Sequence, residues 1–288
     1  MHLNINFFKG FGDTLICSPT IRQLNQDYGY TISVQGLAAK EIYQNNPYCD
    51  FAPKEGMTLT PHDLLLKSSN LRPIHQLDYP IDYFNKALGL NMQLKSNRCE
   101  LFLTEEEAKN PRTKPYILLN PEYQRNITTK KYHKWQEVID QLAPIVEVIQ
   151  VGLKREYYKN TTNLSQMTSL RQLFTLVFNA ELVIGGESFL NHVCSAFNVP
   201  YILVASGFSP KNYYSYPNTT ILNRSHSLQC GESGACWKNR VQSLWDGKIE
   251  QICTNTLPIE FGERVSYCMQ LIEPEDIVSA ALPYLDEV

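Results

Sequence analysis

The chain has 288 residues, 43% of them hydrophobic and 19% charged, with 26 basic against 29 acidic residues and a formal net charge of -3. That length accommodates one large or two modest domains around a sizeable apolar core. The slight acidic excess argues against nucleic acid or an anionic membrane as the main partner, since both want a basic surface.

His2-Leu3-Asn4-Ile5-Asn6-Phe7-Phe8 alternates like a strand, not like a secretory signal, and no stretch approaches 18 apolar residues. No membrane span is expected, and the expected location is cytoplasmic. Leu3 to Phe8 reads as the first strand, Gly10 to Gly12 as a turn, and Thr14 to Tyr28 as a helix with Leu15, Ile16, Ile21 and Leu24 on one face. Tyr30 to Val34 follows as a second strand. Strand, glycine turn, helix, strand is a βαβ unit and predicts a parallel sheet. A further helix spans Tyr79 to Ala87 and stops at Gly89. The polar stretch Thr104 to Pro115, with two prolines, reads as an interdomain linker.

Beyond it, "YILLN" (Tyr116 to Asn120) is apolar enough for a central parallel strand. Helices His133 to Leu142, Ser169 to Asn179 and Ser188 to Phe197 then alternate with strands Val146 to Val151, Glu181 to Ile184 and Pro200 to Val204. The last helix, Pro274 to Leu285, opens on the acidic Glu273-Pro274-Glu275-Asp276. The expected fold is therefore α/β, with two Rossmann-like parallel-sheet domains facing across a cleft. Residues 1–108 form the first domain, 109–272 the second, and 273–288 a closing helix. Such sheets bind ligands beyond the carboxyl ends of their strands.

Four loops fall at those ends. In Gly10-Phe11-Gly12-Asp13, Gly12 lets the backbone approach a ligand. Asp13 either caps the helix or acts as a general base on an acceptor hydroxyl. The second loop carries Arg125, Lys130, Lys131 and Lys134 before Trp135, which suits phosphate; a solvated charge run is the plain alternative. In the third, Thr168 or Ser169 caps a helix ahead of Arg171. The fourth, Gly185-Gly186-Glu187-Ser188-Phe189-Leu190-Asn191-His192, ends a strand in two glycines and opens a helix. Its amides suit phosphate and Glu187 suits ribose hydroxyls, while His192 serves as a ligand contact or as packing.

Together these loops resemble glycosyltransferase family 9, the heptosyltransferase-like family of GT-B architecture. The likeness runs from Leu3 to about Val204 and includes the closing helix. Gly10-Phe11-Gly12-Asp13 with Pro19 and Leu24 matches the family's opening motif, which makes Asp13 the general base. "ILLNP" and "KKYHKW" look like the opening of its second domain, which places Lys131 or Lys134 on donor phosphate. Thr168-Ser169-Leu170-Arg171 resembles its Thr-Ser-Leu-Arg helix start. Gly186, Glu187, Ser188 and His192 resemble its nucleotide loop. Glu187 and Phe189 stand where the family usually carries aspartate and glycine, and His133-Lys134-Trp135 replaces Lys-Arg-Trp.

The resemblance implies a glycosyltransferase that takes a sugar, such as a heptose, from an ADP- or GDP-type nucleotide donor. It passes it to a hydroxyl of a glycan, a lipid-linked glycan or a protein. Positive groups and helix dipoles stabilise the leaving diphosphate in this fold, so no catalytic Mg2+ is expected. The alternatives are a non-catalytic sugar-nucleotide or protein-binding module and a hydrolysing nucleotide-sugar epimerase.

Of eight cysteines, Cys230, Cys236, Cys253 and Cys268 crowd a segment with weak periodicity, about 225–268. Their spacings exceed those of a zinc ribbon, but a tetrathiolate zinc or iron would fix so long a loop. A similar four-cysteine iron site occurs in one branch of the resembled family, so a structural metal is expected there. Four unrelated reduced thiols are the alternative.

Overall fold

The computed structural model describes residues 1–8, 10–61, 74–122, 130–154, 157–210, 212–232, 253, 255–259 and 264–285. The first half runs β1 (His2–Asn6), α1 (Phe11–Leu15), α2 (Ser18–Tyr28), β2 (Thr31–Gln35), α3 (Leu37–Ile42), β3 (Met57–Leu59) and α4 (Asp78–Leu88). Its three strands are all parallel, in the order β2-β1-β3.

The single helix expected over Thr14 to Tyr28 is two. Pro19 has no amide to donate, so it belongs in the first turn of a helix, and α2 starts one residue before it. Ser18 closes the break by donating its hydroxyl to the Leu15 carbonyl at 2.7 Å. Gly29 ends α2 in the left-handed conformation, φ 69°. The sequence reading left α3 and β3 unassigned, because six and three residues are too few to show a period.

The second half holds six parallel strands: β4 (Tyr116–Asn120), β5 (Glu147–Gln150), β6 (Thr162–Asn163), β7 (Leu182–Gly186), β8 (Tyr201–Ala205) and β9 (Thr219–Asn223). Between them lie α5 (Trp135–Leu142), α6 (Leu170–Phe178) and α7 (Phe189–Phe197). The sheet order is β6-β5-β4-β7-β8-β9, and every residue of β4, β7 and β8 is buried, as a sheet covered on both faces requires. After β9 come α8 (Gln229–Glu232), an antiparallel pair β10 (Thr256–Pro258) and β11 (Arg264–Ser266), α9 (Tyr267–Gln270) and α10 (Pro274–Ala281). The closing helix ends at Ala281, short of the expected Leu285, where Pro283 interrupts the amide ladder. Among the described residues no helix is long and apolar enough to cross a membrane.

One face of the larger sheet buries Ile117, Leu119 and Ile184 against Val138 and Ile139 of α5 and Ile277 of α10. On the other face the apolar cluster does not stop at residue 108. It runs from Leu3, Ile5 and Ile21 through to Phe174, Leu190, Val193 and Leu203. The polar stretch expected as a linker is likewise anchored. Arg171 of α6 donates Nε to Glu107 Oε1 at 2.8 Å and Nη2 to Glu107 Oε2 at 2.5 Å. It also reaches the carbonyls of Glu41 at 3.1 Å and Phe102 at 2.8 Å.

A shared core of this extent predicts one cooperative unfolding transition by calorimetry rather than one per sheet. Arg171 holds the Glu107 carboxyl down at about 2 against an ordinary 4.5, chiefly by hydrogen bonding. A carboxyl lowered in the fold stabilises it above pH 4.5 and loses that contribution as pH falls toward 2. Arg171→Met is therefore expected to cost roughly 3 kcal/mol near neutrality. In urea titrations the deficit shrinks from pH 4.5 downward.

Candidate active site

In a parallel sheet the chain leaves a central strand toward one edge and later returns on its other side. Crevices open at that reversal, beyond the carboxyl ends. In the first sheet β1 has β2 on one side and β3 on the other, so its carboxyl end, leading to Asp13, is such a point. In the second, β4 is followed outward by β5 and β6, and β7 returns on its opposite side. The carboxyl ends of β4 and β7 lead to Lys130 and Glu187.

Close packing sets this second crevice. A Cβ on Gly185 would lie 2.9 Å from the Asn120 carbonyl oxygen and 2.8 Å from Tyr201 Oη, so only glycine fits. Gly186 has more room, and its carbonyl accepts from Tyr201 Oη at 2.7 Å. Ser188 is the N-cap of α7, but its side chain makes no capping bond and lies 3.4 Å from Tyr201 Oη instead.

Lys130 is the lysine that meets this loop. Its Nζ lies 3.0 Å from Glu187 Oε2 and 4.4 Å from the Phe208 ring centroid. Ser209 donates to the same carboxylate oxygen at 3.0 Å. Lys134, expected on phosphate, turns away: it pairs with Glu273 at 2.5 Å and donates to the Gln270 carbonyl at 3.2 Å, tying α5 to the closing helix. Lys131 is half-buried beside Lys130. Arg125 lies outside the described residues.

The facing loop is reached through His192. The ring lies against Gly12, where a Cβ would stand 3.5 Å from His192 Cδ2. Its Nδ1 shares a 2.7 Å hydrogen bond with Tyr216 Oη. Tyr216 also stacks edge-on with His75, centroids 4.6 Å apart. His75 Nδ1 accepts from the Leu77 amide, so Nε2 carries the ring proton. Phe11 and Phe189 pack against each other, ring centroids 5.6 Å apart. Phe189, where the resembled family has glycine, thus bridges the two loops.

Asp13 is half-buried as the third residue of α1, and Gly10 is the N-cap; the capping reading of Asp13 is corrected. It is the residue after Gly12, the position that the His192 ring approaches. Ser169 does cap: its hydroxyl accepts from the Gln172 amide at 3.2 Å, and the Gln172 side chain accepts from the Ser169 amide at 2.8 Å. Thr168 and Ser169 follow edge strand β6, two strands from β4, and do not join the Lys130–Glu187 group. Phe208, Ser209, Tyr216 and His75 escaped the sequence reading. The signal for Phe208 and Ser209 was their place directly after the apolar strand "YILVA".

Of the four expected metal ligands, Cys236 lies outside the described residues. Cys253 donates to the Asn255 carbonyl at 3.3 Å, and Cys268 is buried in the apolar cluster under α10. Cys230 lies in α8, and among the described residues no three potential metal ligands gather.

Two facing parallel sheets with opposed crevices define a GT-B fold. The family model for glycosyltransferase family 9 (heptosyltransferase) matches residues 61–234. The chain belongs to that family and is a glycosyltransferase. It is similar to a family 9 glycosyltransferase from Veillonella parvula, with TM-score 0.65 and 13% identity over 100% of this chain and 97% of that one. It is also similar to Escherichia coli ADP-heptose LPS heptosyltransferase II, with TM-score 0.64 and 14% identity over 100% and 99%. A third likeness is to TibC of enterotoxigenic E. coli, a dodecameric iron-containing heptosyltransferase solved with ADP-D-β-D-heptose. Its TM-score is 0.70, with 15% identity over 99% of this chain and 76% of that one. No curated protein matches the chain by sequence.

Burial pushes the imidazole of His192 down to about 3 and that of His75 to about 4. A histidine lowered in the fold stabilises it fully above its ordinary 6.5 and progressively less as pH falls. Glu100, raised by burial to about 7, acts with the opposite sign, so the test is a difference. His192→Asn is expected to flatten the pH dependence of unfolding free energy between pH 6 and 4 by about 1.4 kcal/mol per pH unit. Urea melts of both proteins across that range measure it.

Proposed function

We propose that the protein transfers a sugar from a nucleoside diphosphate donor to an acceptor hydroxyl. The donor lies at the β4/β7 crevice and Asp13 acts from the facing loop. The observation that carries this reading is the apposition of the two crevices, with Gly12 of one loop against His192 of the other. On this reading the acid one residue beyond Gly12 acts toward the two loops that hold Glu187 and Lys130. An ADP-linked heptose is the donor class favoured, supported by relatives solved with ADP-heptose or its fluoro analogue. The acceptor is a glycan, a lipid-linked glycan or a protein.

In the reaction, the Asp13 carboxylate takes the proton of the acceptor hydroxyl. The freed oxygen attacks the anomeric carbon, and the bond from that carbon to the diphosphate oxygen breaks. Lys130 and the amides opening α7 stabilise the charge that develops on the departing diphosphate. The Phe11–Phe189 pair shields the mouth from water. No step of this reading runs through a metal, and the cysteine segment has no role in it.

A general base contributes about 10²- to 10⁴-fold. Asp13→Asn is expected to lower kcat by that factor while ADP affinity stays within about twofold. Because Gly10 and not Asp13 is the cap, stability should be nearly unchanged. Single-turnover assays with labelled donor read the rate, and wild-type turnover in the variant would remove Asp13 from the chemistry. For the donor, ADP and ADP-heptose at 100 times their dissociation constants should each add about 2.7 kcal/mol of stability. A thermal-shift panel that includes GDP, UDP and their sugars shows whether the adenine series wins.

A further inference from the structure

Two donors, one of them cationic, converge on a single anionic oxygen. Lys130 Nζ and Ser209 Oγ each lie 3.0 Å from Glu187 Oε2. That is the environment a phosphate oxygen requires, and a carboxylate of the protein fills it. The pair is withdrawn from solvent: the Glu187 side chain is 1% exposed and that of Lys130 8%. The other carboxylate oxygen, Oε1, is buried with no hydrogen-bond partner. A buried carboxylate satisfied on one oxygen and bare on the other is poorly matched to a purely structural task. Glu187 also directly precedes Ser188, the N-cap of α7 whose side chain makes no capping bond, so the helix opening lies beside the pair.

We propose that Glu187 is an internal stand-in for the donor diphosphate. In the empty enzyme it occupies Lys130 and Ser209; the diphosphate displaces it from both. The released carboxylate then accepts from ribose hydroxyls, which supply the donors its bare oxygen lacks. The inference rests on the donor reading above and adds a competition to it: anion affinity is set by how firmly Glu187 holds Lys130. It also accounts for glutamate where the resembled family carries aspartate. The additional methylene lets the carboxylate reach the lysine of the neighbouring loop.

Inorganic pyrophosphate tests the competition, because it has no ribose. Calorimetric titrations compare the full chain with Glu187→Gln, Lys130→Met and the double variant. Glu187→Gln keeps the shape and removes the competing charge, so it should bind pyrophosphate about tenfold more tightly, a gain of about 1.4 kcal/mol. Lys130→Met should bind it about tenfold more weakly, and the gain should vanish in the double variant. Unchanged or weaker binding by Glu187→Gln, or a gain that persists without Lys130, overturns the proposal. Circular dichroism checks folding. If Glu187→Gln does not fold, Glu187→Asp, one methylene short of Lys130, carries the same expectation. Binding of ADP to the wild-type chain is read separately. Its failure sinks the donor reading, whereas ADP binding without the pyrophosphate gain sinks only the stand-in.

Discussion

The cleft depends on an apolar cluster that crosses from one sheet into the other. Leu3 and Ile5 of β1, Ile21 of α2 and Leu190 and Val193 of α7 belong to a single buried group. At roughly 25 cal/mol per Å2 of buried apolar surface, such a group outweighs any one polar contact at the junction. Its consequence is positional. Within this group α7 packs against α1. Gly12 and His192 come together because of that packing, and Asp13 is the next residue of α1.

The polar groups at the junction refine what the core sets. Arg171 holds the crossing segment through Glu107 and two carbonyls. Tyr216 joins His192 to Cys99, its hydroxyl 2.7 Å from one and 3.6 Å from the other. Buried and neutral, His192 fills space and accepts or donates one bond; it carries no charge into the site near neutral pH. Three basic groups of the resembled motifs thus separate by partner. Arg171 and Lys134 face carboxylates that brace the fold, and Lys130 faces the carboxylate at the crevice.

Much of the architecture was legible from pattern. Long apolar strands such as "YILLN" and "YILVA", each trailed by an amphipathic helix, define a wound parallel sheet without further information. The glycine-rich turns after β1 and β7 marked two of the three segments that meet at the cleft. Legibility failed where period and length were short, as in α3, β3 and β6. It failed again where one helix pattern concealed a break at Ile16-Cys17 that only the geometry of Pro19 explains.

The amino-acid sequence by itself determined the fold class, the strand-end loops and the family, because these follow from periodicity and from residues adjacent in the chain. It also singled out Asp13 and Glu187, since each sits beside glycines at a strand end. Only the tertiary structure decided which lysine enters the crevice. Lys130, Lys131 and Lys134 are equivalent in composition, and their partners lie far along the chain: Glu187 for one, Glu273 for another. The same holds for His75 and Tyr216, which no local pattern marks. Long-range contacts of this kind are set by where the sheets stack and in what order their strands lie. A chain read residue by residue does not contain that order; packing on a shared core creates it.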